Sequence, residues 1–299
     1  MAEPSSPIAS LLANPRRPAL DEALLARAEA ALPRRGARRV LSEGVALEWP
    51  VSGEPAAIEA ALREAVADAP VDVVVRPAGK RSKRLFLADM DSTMIEQECI
   101  DELADLVGLK PEVAAITERA MRGEIAFEPA LRERVALLRG LPVEVVDRIM
   151  AERITFTPGG ATLLATLRAN GCYCCLVSGG FTLFTSLVGR ALGFDEDRAN
   201  RLVLDGDRFG GTVAEPILGR EAKRDTLEEL RARLGLDRDD VLAVGDGAND
   251  LAMLGEAGLG VAFRAKPAVA AAAHARIDHA DLTALLYLQG YAETDLVHP

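Results

Sequence analysis

The sequence predicts an α/β chain. Its core is a parallel sheet with a helical insertion after the first strand, and a small α+β domain precedes it. Three observations predict this. Short apolar runs at 85–88, 172–177, 241–244 and 260–263 have the length and continuity of strands buried on both faces. The segments between the later runs carry helical periodicity, so strand and helix alternate. Between the first and second runs, four helical stretches (96–107, 112–122, 127–139 and 143–153) follow one another with no strand among them.

Taken in order, residues 20–32 read as a helix, 39–49 as an alternating strand, 55–67 as a second helix and 71–75 as a second strand. Together these suggest an α+β domain over 1–80. The basic segment Lys80-Arg81-Ser82-Lys83-Arg84, preceded by Gly79, reads as a linker. A larger α/β domain then spans 85–299, with its helical cap at about 95–155. Residues 222–234 and the alanine-rich 268–273 read as later helices.

Bulk properties narrow the function. A chain of 299 residues accommodates one large α/β domain and a smaller one. Aromatics are 4% of a composition that is 49% hydrophobic, so Leu, Val and Ala must build the core. The formal net charge of −11 argues against general binding to nucleic acid or to an anionic membrane, the basic linker included. No apolar stretch approaches a membrane span, and the N-terminus lacks a basic start followed by an apolar run. Cys172, Cys174 and Cys175 crowd one apolar run, and Cys99 stands apart. They read as buried reduced thiols of a cytoplasmic protein. His274, His279 and His298 lie near the C-terminus, and carboxylate chemistry does not need them.

The chemistry concentrates at strand ends. Asp89 and Asp91 leave the first core strand two positions apart, where ligands of open α/β sheets bind. One carboxylate can attack an electrophile while the other moves a proton. Ser178-Gly179-Gly180 follows the second strand, Lys223 opens the helix at 222–234, and Gly245-Asp246-Gly247-Ala248-Asn249-Asp250 follows the third. Each has a plainer reading as a solvated turn, a solvated lysine or a helix cap. Their joint occurrence suits phosphoryl transfer. Asp89 and Asp246 would share one hard divalent cation such as Mg²⁺, while Ser178, the Gly179 N–H and Lys223 would hold phosphate oxygens.

In this order the four segments resemble the four motifs of the haloacid dehalogenase superfamily of phosphohydrolases, over roughly two thirds of the chain from Leu85 to Ala280. Within it, the strings DMDSTMIEQECIDELA, AMRGEIAFEPALRERV, VSGGF, ANRL and VGDGANDLAML resemble its phosphoserine phosphatase branch. The resemblance implies a Rossmann-like core with a small helical cap inserted after the first motif. It implies hydrolysis of O-phospho-L-serine to L-serine and phosphate, the last step of serine synthesis. Asp89 is implied as the nucleophile that becomes an aspartyl-phosphate, and Asp91 as the acid and then the base. Asp89, the Asp91 carbonyl and Asp246 would hold one Mg²⁺, with Asp250 supporting it from behind and Asn249 orienting the site. Ser178, Gly179 and Lys223 are implied as phosphate ligands, Glu98 as the partner of the substrate ammonium and Arg134 as the partner of its carboxylate. Met121 and Phe127 would supply apolar walls that exclude water. The family often carries a regulatory amino-acid-binding domain at the N-terminus. Residues 1–80 show only part of such a fold, which leaves serine binding, dimerisation and simple packing open.

A helical wheel bears on Arg134 independently. Phe127, Leu131, Val135 and Leu138 form one apolar stripe, and Arg134 lies beside it. A guanidinium there either snorkels, pairs with a cap carboxylate or captures a ligand carboxylate. On pattern alone Glu98 is one more charge in an acidic segment. Three rivals remain: transfer of the phosphoryl group to another alcohol such as homoserine, a phosphatase for a different small monoester, and a non-catalytic binding protein. The last would be expected to lack Asp89, Asp91 or Lys223.

Overall fold

The computed structural model describes residues 6–32, 34–121, 124–219 and 221–299, with Met121 described in its backbone alone. The N-terminal unit runs β1 (Ile8–Ala13), α1 (Glu22–Ala30), β2 (Arg39–Ser42), β3 (Ala46–Pro50), α2 (Pro55–Ala65) and β4 (Val71–Arg76). Its four strands form an antiparallel sheet in the order β2-β3-β1-β4. This is the complete βαββαβ arrangement, richer than the sequence expectation in two respects. The run at 8–13 is a strand, and a central one. The expected single strand at 39–49 is two strands folded at Gly44, whose φ of +69° suits a residue without a Cβ.

Both faces of this sheet are covered, which is why β1 and β4 are buried at every position. Ala9, Leu11, Val73 and Val75 join Leu24, Leu25 and Leu62 of the two helices in one apolar cluster. Leu12 and Val74 face the other way, into the cluster of the main body. Asp72, on that second face, accepts backbone N–H bonds from Asp278 (2.8 Å), His279 and Ala280 (2.8 Å). The basic linker is tied down by carboxylates on both sides: Arg81 bonds Glu48, and Lys80 lies 3.0 Å from Asp240.

The main body begins with β5 (Leu85–Ala88), followed by the cap helices α3 (Cys99–Leu106), α4 (Lys110–Met121), α5 (Phe127–Leu137) and α6 (Val145–Glu152). Then come α7 (Gly160–Ala169), β6 (Tyr173–Phe181), α8 (Thr182–Leu192), β7 (Glu196–Asn200), β8 (Leu202–Asp205), β9 (Arg208–Val213) and α9 (Ala222–Arg233). β10 (Val241–Gly245), α10 (Leu251–Glu256), β11 (Leu259–Phe263), α11 (Pro267–Ala272), β12 (Ala275–Ile277) and α12 (Ala284–Tyr287) complete it. The parallel sheet has the order β12-β11-β10-β5-β6-β7. Leu85, Leu87, Val241 and Ala243 pack against Leu227 and Leu230 of α9 on one face, while Phe86, Ala88, Leu242 and Val244 face the opposite layer. The four cysteines are free and buried. No described helix is long and apolar enough to cross a membrane.

Strand order positions the site. β5 lies between β10 and β6, so the segments that leave the carboxyl ends of these three strands emerge side by side.

Candidate active site

At the end of β5 the chain turns sharply. Asp89 Oδ1 accepts the N–H of Met90 at 2.8 Å, and the Asp89 N–H donates to the Val244 carbonyl of β10. Ser92 adopts φ +54°, uncommon for a residue with a Cβ and concentrated at functional turns. The Ser92 hydroxyl donates to Glu98 Oε1 at 2.7 Å. Asp91 is fixed on two sides: Oδ1 accepts the Cys99 N–H at 2.8 Å, and Oδ2 accepts the Ser178 hydroxyl at 3.3 Å. Ser178 Oγ in turn accepts the Gly180 N–H at 2.9 Å. A Cβ at Gly180 would stand 3.1 Å from both Asp91 Oδ2 and Ser178 Oγ, so a side chain here would press on both groups.

From α9, Lys223 reaches Asp89 Oδ1 and Asp250 Oδ1, each at 2.6 Å. Asp250 is fully buried and also accepts the Gly247 N–H at 3.0 Å. Gly245 makes this approach feasible, because a Cβ there would meet Asp250 Cγ at 2.4 Å. Asp89, Asp246 and Asp250 each offer a carboxylate oxygen, all within 4.8 Å of one another. Lys223 pairs with two of these three carboxylates, which leaves an excess of formal negative charge. The consequence shows in their acidity. Burial first, then Asp250, pushes the Asp89 carboxyl well above its usual range, against the pull of Lys223. Burial and Asp250 also push Asp246 up. Burial raises Asp91, while the bonds from Cys99 and Ser178 oppose it. Burial alone would lower Lys223, but Asp250 and Asp89 outweigh it and raise its pKa. An all-oxygen donor set with excess negative charge fits a hard divalent cation such as Mg²⁺. Both Asp250 oxygens are engaged by protein donors, so Asp89 and Asp246 are the better placed direct ligands.

These groups open into a cavity of about 290 Å³ roofed by cap residues. Asp89, Asp91, Ser178, Gly179, Asp246 and Asn249 line its floor; Glu98, Phe127 and Arg134 line it from the cap side. Arg134 hydrogen-bonds only the Ala130 carbonyl (3.3 Å) and Thr117 Oγ1 (3.5 Å), and no carboxylate pairs with it among the described residues. The side chain is half-buried and lines the cavity. Burial lowers its pKa, with Asp101 and Glu98 opposing. Partial desolvation and the nearby Asp91 push Glu98 up to about 7. Leu131, Val135 and Leu138 are buried as the wheel predicts, whereas Phe127, at the head of the same stripe, is 38% exposed and turns to the cavity near Gly179. The side chain of Met121 lies outside the described residues.

Sequence reasoning missed four contributors. Lys266 and Thr117 line the cavity, Ser92 holds Glu98, and Asn200 donates to the Gly179 carbonyl at 2.9 Å while accepting the Leu218 N–H. For Lys266 a signal existed: it follows β11 at the same carboxyl edge as the other polar loops. Asn200 lies in the string ANRL that carries the resemblance, though no role was read for it, and Thr117 had no signal, because its place depends on tertiary neighbours.

The model of haloacid dehalogenase-like hydrolases matches residues 86–255. A phosphoserine phosphatase of Streptomyces coelicolor is 43% identical over 254 residues, 84% of this chain, and the chain spans 62% of that relative's length. A solved structure described as a phospho-aspartyl intermediate analogue of phosphoserine phosphatase is 40% identical, with a TM-score of 0.63, over 69% of this chain and 98% of that one. The unliganded structure of a probable phosphoserine phosphatase from Vibrio cholerae is 31% identical, with a TM-score of 0.78, over 97% of this chain and 88% of that one. The family match covers more than half of the sequence and coincides with the strands and loops that carry the acidic cavity; the chain belongs to the haloacid dehalogenase-like hydrolases.

Proposed function

We propose that this chain is a phosphoserine phosphatase that hydrolyses O-phospho-L-serine to L-serine and phosphate with one Mg²⁺ per site, the closing step of serine synthesis in the cytoplasm. One observation carries the reading. A single cavity holds a carboxylate pair with a phosphate cradle and, from the cap, a glutamate and an arginine that meets no carboxylate among the described residues. A zwitterionic amino acid bearing a phosphate presents the matching charges. The resemblance of the chain to named phosphoserine phosphatases supports it.

In this reading an Asp89 oxygen attacks phosphorus and the ester P–O bond breaks. Asp91, which must be protonated at that moment, gives its proton to the departing serine oxygen. Asp91 then takes a proton from water as that water attacks the aspartyl-phosphate, releasing phosphate and restoring the Asp89 carboxylate. Ser178, the Gly179 N–H and Lys223 hold the phosphoryl oxygens in line. Asp89 and Asp246, with the Asp91 carbonyl, would hold the Mg²⁺, which when bound offsets negative charge between nucleophile and phosphate. Asp250 keeps Lys223 in place, and Asn249 orients the loop. Arg134 grips the substrate carboxylate and Glu98 its ammonium, while Phe127, with Met121, excludes water. The reading divides the chain into an α+β domain at 1–80 and a phosphatase domain at 85–299 with its cap at about 95–155.

The test is phosphate release from O-phospho-L-serine with and without Mg²⁺, beside phosphothreonine and p-nitrophenyl phosphate. A Mg²⁺-dependent preference for phosphoserine is expected. Release from the aryl phosphate alone would leave the chemistry standing and overturn the substrate.

A further inference from the structure

A second cavity, of about 380 Å³, opens where β4, the linker and the amino-terminal edges of β10 and β11 meet. It lies at the opposite end of the parallel strands from the acidic cavity, about 15 Å of strand away. Its charged lining is Arg76, Lys80, Lys83, Arg238 and Asp239, with His274 beside them. Four cations against one carboxylate is unusual in a chain whose formal net charge is −11.

The cations are also poorly compensated. Lys80 alone has carboxylate partners, Asp240 at 3.0 Å and Asp237 at 3.4 Å. Arg76 bonds the carbonyls of Pro77 and Leu288, Lys83 Nζ bonds the Asp239 carbonyl at 2.7 Å, and Arg238 bonds those of Ala257 and Gly255. Among the described residues none of these three forms an ion pair. Arg76 is 8% exposed and Lys83 5%, and Arg76 Nε has no hydrogen-bond partner. Buried cations without carboxylates are costly, and proteins ordinarily pair them. Burial, with Arg76 adding to it, pulls the Lys83 ammonium down to about 8. Burial, then Arg238 and Lys83, lowers His274. Cations outnumber carboxylates in the lining, and Asp239, Asp240 and Glu48 only partly offset them.

We propose that this cavity is a binding site for a compact phosphate-class oxyanion, free or as the phosphate group of a small ester, held by Arg76, Lys83 and Arg238. The three cations come from β4, the linker and the turn before β10, so a bound dianion ties the N-terminal sheet to the main body. Val75, Pro77 and Leu259 add apolar surface beside the cations. The site is independent of the hydrolytic reading, and it can stand or fall without it.

The test reads His274 directly. The chain has three histidines, and His274→Gln assigns the imidazole resonance in a ¹H–¹³C spectrum. Titration with inorganic phosphate at constant ionic strength, against a chloride control, should shift His274 saturably and raise Tm. The double variant Lys83→Met with Arg238→Gln should weaken that binding at least tenfold. Phosphate in the acidic cavity would also raise Tm, but it lies at the other end of the strands, so the His274 shift is the readout that separates the two sites. If the double variant does not fold, Arg238→Gln alone, on a surface-exposed residue, should weaken binding at least threefold. Tighter binding of glycerol 3-phosphate than of phosphate would identify an ester as the ligand, and the reverse would identify the free ion. A His274 shift no larger than in chloride, or one unchanged by the substitutions, overturns the proposal.

Discussion

Lys223 Nζ lies 2.6 Å from Asp89 Oδ1, with both side chains buried. Asp250 holds the same ammonium at the same distance, so one cation answers two carboxylates and stands close to a third. Replacing Lys223 by Met would leave Asp89 and Asp250 buried without a counter-charge. Breaking a buried ion pair costs about 3–5 kcal/mol, and losing one charged donor at a reacting oxyanion costs about 10²–10³ in turnover. Urea unfolding should therefore show a lower midpoint, and turnover should fall by at least a hundredfold. Wild-type stability in this variant would mean that the carboxylates are already protonated in the resting protein.

Asp89→Asn should separate chemistry from folding. The amide keeps the shape and removes one of three crowded negative charges, and Lys223 retains Asp250. Turnover should vanish into background while Tm holds. Turnover near the parent rate would remove Asp89 as the nucleophile.

Glu98 should impose a pH dependence on the amino-acid substrate alone. Partial desolvation and Asp91 raise its carboxyl to about 7, so it is ionised above that pH and protonated below it. An ammonium is attracted by the ionised form only. The ratio of kcat/KM for phosphoserine to that for p-nitrophenyl phosphate should therefore fall as pH drops through about 7, and Glu98→Gln should flatten the fall. A ratio independent of pH in the wild type would sink the ammonium assignment.

Arg134→Ala should discriminate between the same two substrates. A hydrogen bond to a charged group contributes about 1.5–3 kcal/mol, roughly 10- to 150-fold. Phosphoserine should lose that much in kcat/KM and the aryl phosphate almost nothing. Equal losses on both would mean that Arg134 supports the cap rather than the ligand.

Asp72→Asn tests the junction between the N-terminal sheet and the main body. The carboxylate accepts N–H bonds from three successive residues, and an amide turns a donor toward at least one of them. Leaving a buried N–H unsatisfied costs about 1–3 kcal/mol. Chemical denaturation should show a loss of that size, with hydrolysis of phosphoserine unchanged at low denaturant. A neutral substitution would show that the sheet is held by apolar packing alone.

Much of the candidate site was legible because its parts are local. Asp89 and Asp91 follow an apolar run directly, as do Ser178 and Asp246, and a strand followed by a polar turn is a contiguous pattern. The cap was legible because four amphipathic helices in series leave a periodic trace. The polar edge strand β7, the β8–β9 hairpin and the short β12 left none. Strand β1 also went unread, because Ala9, Ser10 and Ala13 dilute its run of large apolar residues and it lacks the continuity that marked 85–88. The turn at Gly44 was hidden within a run that alternates on either side of it.

By itself the sequence determined the α/β class, the order of the catalytic loops and the residue types they bring, since these follow from periodicity and from chemistry carried by neighbouring residues. Only the tertiary structure decided that Lys223 is shared between Asp89 and Asp250, that Arg134 meets no carboxylate among the described residues and that Asn200 holds the Gly179 carbonyl. It also decided that Arg76, Lys83 and Arg238 converge on one cavity. Each of these is a distance between residues far apart in the chain. Such distances are set by how sheets and helices pack, and no local pattern of residues encodes them.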